Sequence, residues 1–198
     1  MPEQDELLRM FQEAQKAFTD RVHAVREDQW SAPTPCDEWT VGDLVQHLAE
    51  EHLWAAPLVH GQDLESARKI VEGTRRLPIE GGVGANAAEQ WDEAITASAD
   101  AFTSGGALDR TVALSRGDTP ASQYLSEMIA DLTVHAWDLG KAIGYSEPLP
   151  EDLVSFVYDM VKEAGDLSGT GMFKPPVDVP DDAPMIDKLV GLAGRQPS

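Results

Sequence analysis

The sequence has little cysteine, little positive charge and no long apolar run. One cysteine, Cys36, among 198 residues permits no internal disulfide and excludes a cysteine-rich zinc module. A reducing compartment, the cytoplasm, is the expectation. Lysine and arginine number 15 against 35 acidic residues, for a net charge of −20. That field repels a phosphate backbone, so no nucleic acid is expected as a partner. The one basic cluster, "TRR" at 74–76, is too short to offset it. No stretch approaches the ~20 apolar residues of a membrane span, so no membrane association is expected. The acidic, helix-patterned start "MPEQDELLRM" does not read as a signal peptide. GxSxG and HExxH motifs are absent, as are internal repeats and low-complexity tracts. The glycine-rich "LPIEGGVGAN" follows no strand and lacks the spacing of a phosphate-binding loop.

What is present is helical periodicity. Leu7, Leu8, Phe11, Ala14, Phe18, Val22 and Val25 recur at helical spacing over residues 3–28. After the proline-bearing loop "SAPTPCDEW", Thr40 is a good N-cap, Asp43 completes a near capping box, and Trp39 and Leu44 are spaced for a hydrophobic staple. That helix runs towards Pro57. Residues 63–72 suit a short helix and 85–103 a long one, with Ala88, Trp91, Ile95, Ala99 and Phe102 on one stripe. "LDRTVALSRGD" is a connection, in part extended. Thr119 and Pro120 read as N-cap and first residue of a fourth long helix that reaches Gly140 or Gly144. Residues 151–165 form a fifth helix, and a proline-rich tail leads to a short last one, "MIDKLVGLAG". The expectation is an all-α chain, one helical domain over 1–198, with a four-helix bundle within about residues 3–165 and the tail 166–198 packed on it.

The histidines interrupt this pattern. On the fourth long helix the apolar stripe is Leu125, Ile129, Leu132, Ala136, Leu139 and Ile143. His135 lies about 60–80° off its centre and Asp131 about 120° off. Their i, i+4 spacing places the two side chains on successive turns of one flank, shared with Tyr124 and Met128. On the second helix Val41, Leu44, Val45, Leu48 and His52 make the stripe. His47 lies off it in the same sense as His135, with Glu51 one turn on. If the two flanks face each other, two imidazoles and a carboxylate converge, the donor set of an open metal site. The competing readings are an ordinary Asp–His pair, a buried core histidine at 52, and Glu51 as a solvated partner of His47. Asp138 is either an acceptor that orients a ligand histidine or a helix-end charge. His23 and His60 read as surface residues, Cys36 as a small loop residue, and Trp39, Trp54, Trp91 and Trp137 as core.

The segments "PTPCDEWTVGDLVQHL" and "DLTVHAWDLGKAIG" resemble the two signature segments of the mycothiol-dependent maleylpyruvate isomerase N-terminal family, part of a DinB-like metal-dependent superfamily. The closing "FKPPVDVPDDAPMIDKLVGLAGRQP" is similar to the tail of its short, single-domain members, so the resemblance covers nearly the whole chain. It implies a DinB-like four-helix bundle around a divalent metal, held by one histidine of the second helix and an acidic-x-x-x-His pair of a later one. Carried onto this chain, these are His47, Asp131 and His135. The family's acidic ligand is a glutamate, and Asp131 is one methylene shorter. The isomerase has a further C-terminal domain that this chain is too short to hold, so maleylpyruvate itself is not the expected substrate.

The resemblance further implies an enzyme, a thiol transferase or isomerase acting on a small molecule. The metal is zinc, with nickel or another divalent ion as alternatives, and the thiol cosubstrate is mycothiol. Glu51 and Tyr124 are placed to assist proton transfer. The alternatives are a metal-dependent hydrolase and a non-enzymatic metal- or ligand-binding module, and the chain is expected as a monomer or homodimer.

Overall fold

The computed structural model describes residues 3–37, 39–74, 86–165 and 174–197. Most of "TRR" and all but the last residue of "LPIEGGVGAN" lie outside the described residues. Four long helices form the bundle: α1 (Gln4–His23), α2 (Val41–Val59), α4 (Ala87–Thr103) and α5 (Ala121–Ile143), with α3 (Leu64–Thr74) beside α2. The pairs α1–α5 and α2–α4 pack most extensively, and α1–α4 and α2–α5 close the ring. α2 therefore has α4 on one side and α5 on the other, so it faces two different environments. A short antiparallel hairpin, β1 (Thr111–Leu114) and β2 (Gly117–Pro120), leads into α5. α6 (Glu151–Ala164) and α7 (Met185–Leu192) pack on each other, and α6 also packs on α1 and α5.

The apolar stripes account for this arrangement. Phe11, Phe18, Phe102, Leu125, Ile129 and Leu132 are buried at the centre, each worth about 1.5–3 kcal/mol of apolar transfer. The cap at Thr40 forms as the spacing predicts. The Asp43 N–H donates to Thr40 Oγ1 at 3.2 Å and the Thr40 N–H to Asp43 Oδ2 at 2.9 Å. Gly144 ends α5 at φ 72°, a left-handed conformation that glycine adopts without steric penalty. No helix among the described residues is long and apolar enough to cross a membrane.

Three boundaries differ from the sequence expectation. α1 stops at His23 rather than continuing to 28, and residues Glu27–Gln29 form a 3-10 turn. That turn is held by a long-range bond, Gln29 Nε2 donating to the Ile143 carbonyl at 3.0 Å. α2 passes Pro57 and ends at Val59. A proline so near the end removes one backbone donor in the last turn, which the packed helix tolerates. Thr119 is not a cap: it pairs with Val112 across the hairpin and its hydroxyl donates to the Gly117 carbonyl, so Pro120 takes the N-cap position.

Candidate metal centre

α2 and α5 bring His47, Asp131 and His135 together. One ligand atom from each lies within 4.8 Å of the others. His135 Nε2 is 3.4 Å from Asp131 Oδ1, and His47 Nε2 is 3.8 Å from Asp131 Oδ2. These separations are long for hydrogen bonds. They are close to the ~3.3 Å between ligands of a tetrahedral ion with metal–donor distances near 2.0–2.1 Å. The donor set, two imidazoles and one carboxylate, therefore fits a divalent ion with a position left for a further ligand, and the short Asp131 side chain reaches both histidines. The centre opens to solvent on the His47 and Asp131 side, where those side chains are about a third exposed, while His135 is buried.

Behind His135 the chain is closed. Its Nδ1 lies 2.9 Å from Oδ2 of Asp138, which is wholly buried. Arg195, from the segment after α7, donates to the same carboxylate through Nη2 at 2.9 Å and Nε at 3.3 Å. Of the two readings of Asp138, orienting acceptor and helix-end charge, the structure supports the first. Burial pushes the Asp138 carboxyl up, but the His135 hydrogen bond and the Arg195 guanidinium outweigh it and hold it below the ordinary value. The Trp39 ring stacks on His135 at 5.7 Å between centroids and lies 4.6 Å from the His47 ring. It forms a wall of the cluster as well as packing on the core.

Charge in the centre is strongly biased by burial. Burial pushes His47 below its usual pKa, with His135 adding to the effect and Asp131 opposing it, so His47 is neutral and has a lone pair to offer at neutral pH. Glu51, one turn beyond His47, is pushed up to about 7 by burial and by the charges of Asp131 and Glu50. It is a half-protonated carboxyl at physiological pH rather than a solvated partner of His47. Burial and the Glu51 charge likewise raise Tyr124, which keeps its proton.

The remaining histidines are elsewhere. His52 is fully buried, bonded through Nδ1 to Ser98 Oγ at 2.9 Å and packed against Phe11 and Trp91. His23 pairs with Asp92 at the surface, and His60 is exposed. Cys36 is half-buried in its loop, and burial raises its thiol pKa, which opposes a role as nucleophile. Sequence reasoning missed Trp39 as a wall of the cluster and Arg195 altogether. Neither has a local signal, since Trp39 sits in an irregular loop and Arg195 follows a helix remote in sequence.

Comparison with known proteins places this geometry in context. Residues 11–140 match the family described as the mycothiol maleylpyruvate isomerase N-terminal domain. Uncharacterized proteins of Mycobacterium tuberculosis, from strains CDC 1551 and H37Rv, are each 30% identical over 194 residues, covering 93% of this chain and 94% of the relative. The crystal structure of the mycothiol-dependent maleylpyruvate isomerase superposes with a TM-score of 0.63 at 17% identity, over 85% of this chain and 73% of that one. A histidine-to-alanine mutant of that isomerase gives a TM-score of 0.62. The bundle is thus of the DinB-like kind.

Proposed function

This chain belongs to the family of the mycothiol maleylpyruvate isomerase N-terminal domain, and from that membership we propose that it is a metal-dependent enzyme that joins a low-molecular-weight thiol to a small electrophile. The observation that carries the reading is the convergence of His47, Asp131 and His135 on one point that opens to solvent. These three would hold the ion. Zinc suits a set of two nitrogens and one oxygen, and nickel shares that preference for imidazole. A divalent ion so placed lowers the pKa of a thiol or water and supplies a nucleophile at neutral pH. Mycothiol is the thiol that the family name suggests.

The chain's own residues divide the remaining work. His47 is neutral at neutral pH and Asp131 brings the negative charge. Trp39 excludes water from one side of both rings. Glu51, titrating near 7, takes up the proton that the thiol releases as the sulfur–carbon bond forms, and returns it to the product. Tyr124, held protonated, is a hydrogen-bond donor beside it.

The test is metal analysis of the purified protein together with His47→Ala and His135→Ala, followed by conjugation of mycothiol to a chlorodinitrobenzene. Stoichiometric metal in the wild type, its loss in both variants and thiol-dependent product are expected. Stoichiometric metal retained by both variants would sink the site. Turnover that does not need the thiol would assign the activated nucleophile as water and make the enzyme a hydrolase.

A further inference from the structure

Arg195 lies 57 residues beyond Asp138 in sequence, yet both are buried against each other. Each nitrogen of its guanidinium fork has an acceptor. Nη2 and Nε donate to Asp138, and Nη1 donates to the Ala193 carbonyl at 2.8 Å. The chain turns specifically to deliver it. α7 ends in a Schellman motif, with the Gly194 N–H donating to the Gly191 carbonyl at 3.0 Å and the Arg195 N–H to the Val190 carbonyl at 2.8 Å. Gly194 has φ 76°, and a Cβ there would lie 2.6 Å from Lys174 Cβ and 2.7 Å from the Lys174 carbonyl oxygen. Only glycine lets the turn close against that strand. The strand is itself fastened, by the Val177 N–H to the Gly191 carbonyl at 2.9 Å and by an ion pair from Lys174 to Asp37, in the loop that carries Trp39.

Two carboxylates flank His135, Asp138 at Nδ1 and Asp131 at Nε2, and a neutral imidazole has one proton to give. We propose that Arg195 decides between them and is a positioning residue for the metal centre. It holds Asp138 as a charged acceptor in one rotamer, so the ring proton stays on Nδ1 and Nε2 keeps its lone pair directed at Asp131 and His47. A planar fork suits this task, because it supplies counter-charge and fixes orientation through two parallel bonds. Removing it leaves a buried charge with the imidazole as its sole hydrogen-bonding side chain, and the ring proton redistributes towards Nε2. The effect on metal rests on the reading of the site given above; the effect on the tautomer does not.

The test uses the full, metal-free chain labelled with 15N-histidine, in which long-range nitrogen–proton correlation reports the His135 tautomer. The wild type is expected to show Nδ1–H. Arg195→Met is expected to show a substantial Nε2–H fraction, reversed by millimolar guanidinium chloride and not by sodium chloride of equal ionic strength. Zinc affinity by chelator competition should weaken about 10- to 100-fold, as for other partners that orient a ligand. Should Arg195→Met not fold, Arg195→Lys, which keeps the charge and loses the fork, carries the same measurements in the same direction. An unchanged tautomer in a folded variant overturns the proposal whatever happens to zinc. A tautomer that shifts in a protein whose wild type takes up no zinc defeats the metal reading and supports the role of Arg195 on His135.

Discussion

His47 and His52 stand five residues apart on α2, about 140° apart around its axis, and the bundle gives them opposite fates. His47 turns towards α5, is about a third exposed, and meets a carboxylate and a second imidazole. His52 turns towards α4, is wholly buried, and meets Ser98, Phe11 and Trp91, with Nε2 left without a hydrogen-bond partner among the described residues. One residue type on one helix thus becomes a ligand candidate or a packing residue according to which neighbour it faces. The lesson is that carboxylates and access to solvent, rather than the imidazole alone, make a metal centre.

The comparison is broken most directly by exchanging the losses. His47→Ala is expected to weaken zinc binding by at least about 1,000-fold, roughly 4 kcal/mol, while the metal-free protein keeps its urea midpoint within about 1 kcal/mol of wild type. His52→Ala is expected to do the reverse. Its stability falls by about 2–4 kcal/mol from the cavity left between Phe11 and Trp91, and the folded protein retains stoichiometric zinc. Metal analysis beside urea denaturation of both variants checks the pair, and loss of zinc in folded His52→Ala would erase the distinction.

The pH dependence sharpens it, because Glu51 and His52 are adjacent and their contributions slope in opposite directions. Glu51 ionises near 7 in the folded protein and near 4.5 when unfolded. The folded state therefore binds the extra proton between those values. Stability is lost as pH rises through that window, and the penalty is complete above 7. Glu51→Gln should stabilise the metal-free protein at pH 8 by about 1–3 kcal/mol, with the gain gone by pH 4. His52 is held to about 3 by burial, against an ordinary 6.5. Here the unfolded chain takes the proton first, so stability is lost as pH falls below 6.5. His52→Leu should flatten the acid limb and leave the alkaline one unchanged. Urea midpoints from pH 4 to 8 read both limbs. At the bottom of the scale, His23→Ala removes an exposed pair with Asp92 and should shift stability by less than about 0.5 kcal/mol.

Much of this arrangement is written locally. The stripes on α1, α2, α4 and α5 are buried as their 3.6-residue period requires, and Thr40 and Asp43 close the cap that their spacing announces. The i, i+4 spacing alone puts Asp131 and His135 on one flank, since helix geometry leaves no other place for them. Residues whose roles depend on distant partners are not legible in this way. Thr119 has the chemistry of a cap, but strand pairing with Val112 claims it. Gln29 ends a helical pattern early because Ile143 lies across from it. Helical angle permits His47 to face Asp131 but does not require it, and the packing of α2 beside α5 decides. Arg195 is the extreme case. In sequence it is one cation in a tail, and its place behind His135 exists only because Gly194 turns the chain back and a buried carboxylate there demands a partner. Period and capping follow from bonds within a few residues, so the sequence by itself determines the helices and which flanks carry ligating groups. Convergence of those flanks is a property of packing between remote segments, and that the tertiary structure alone decides.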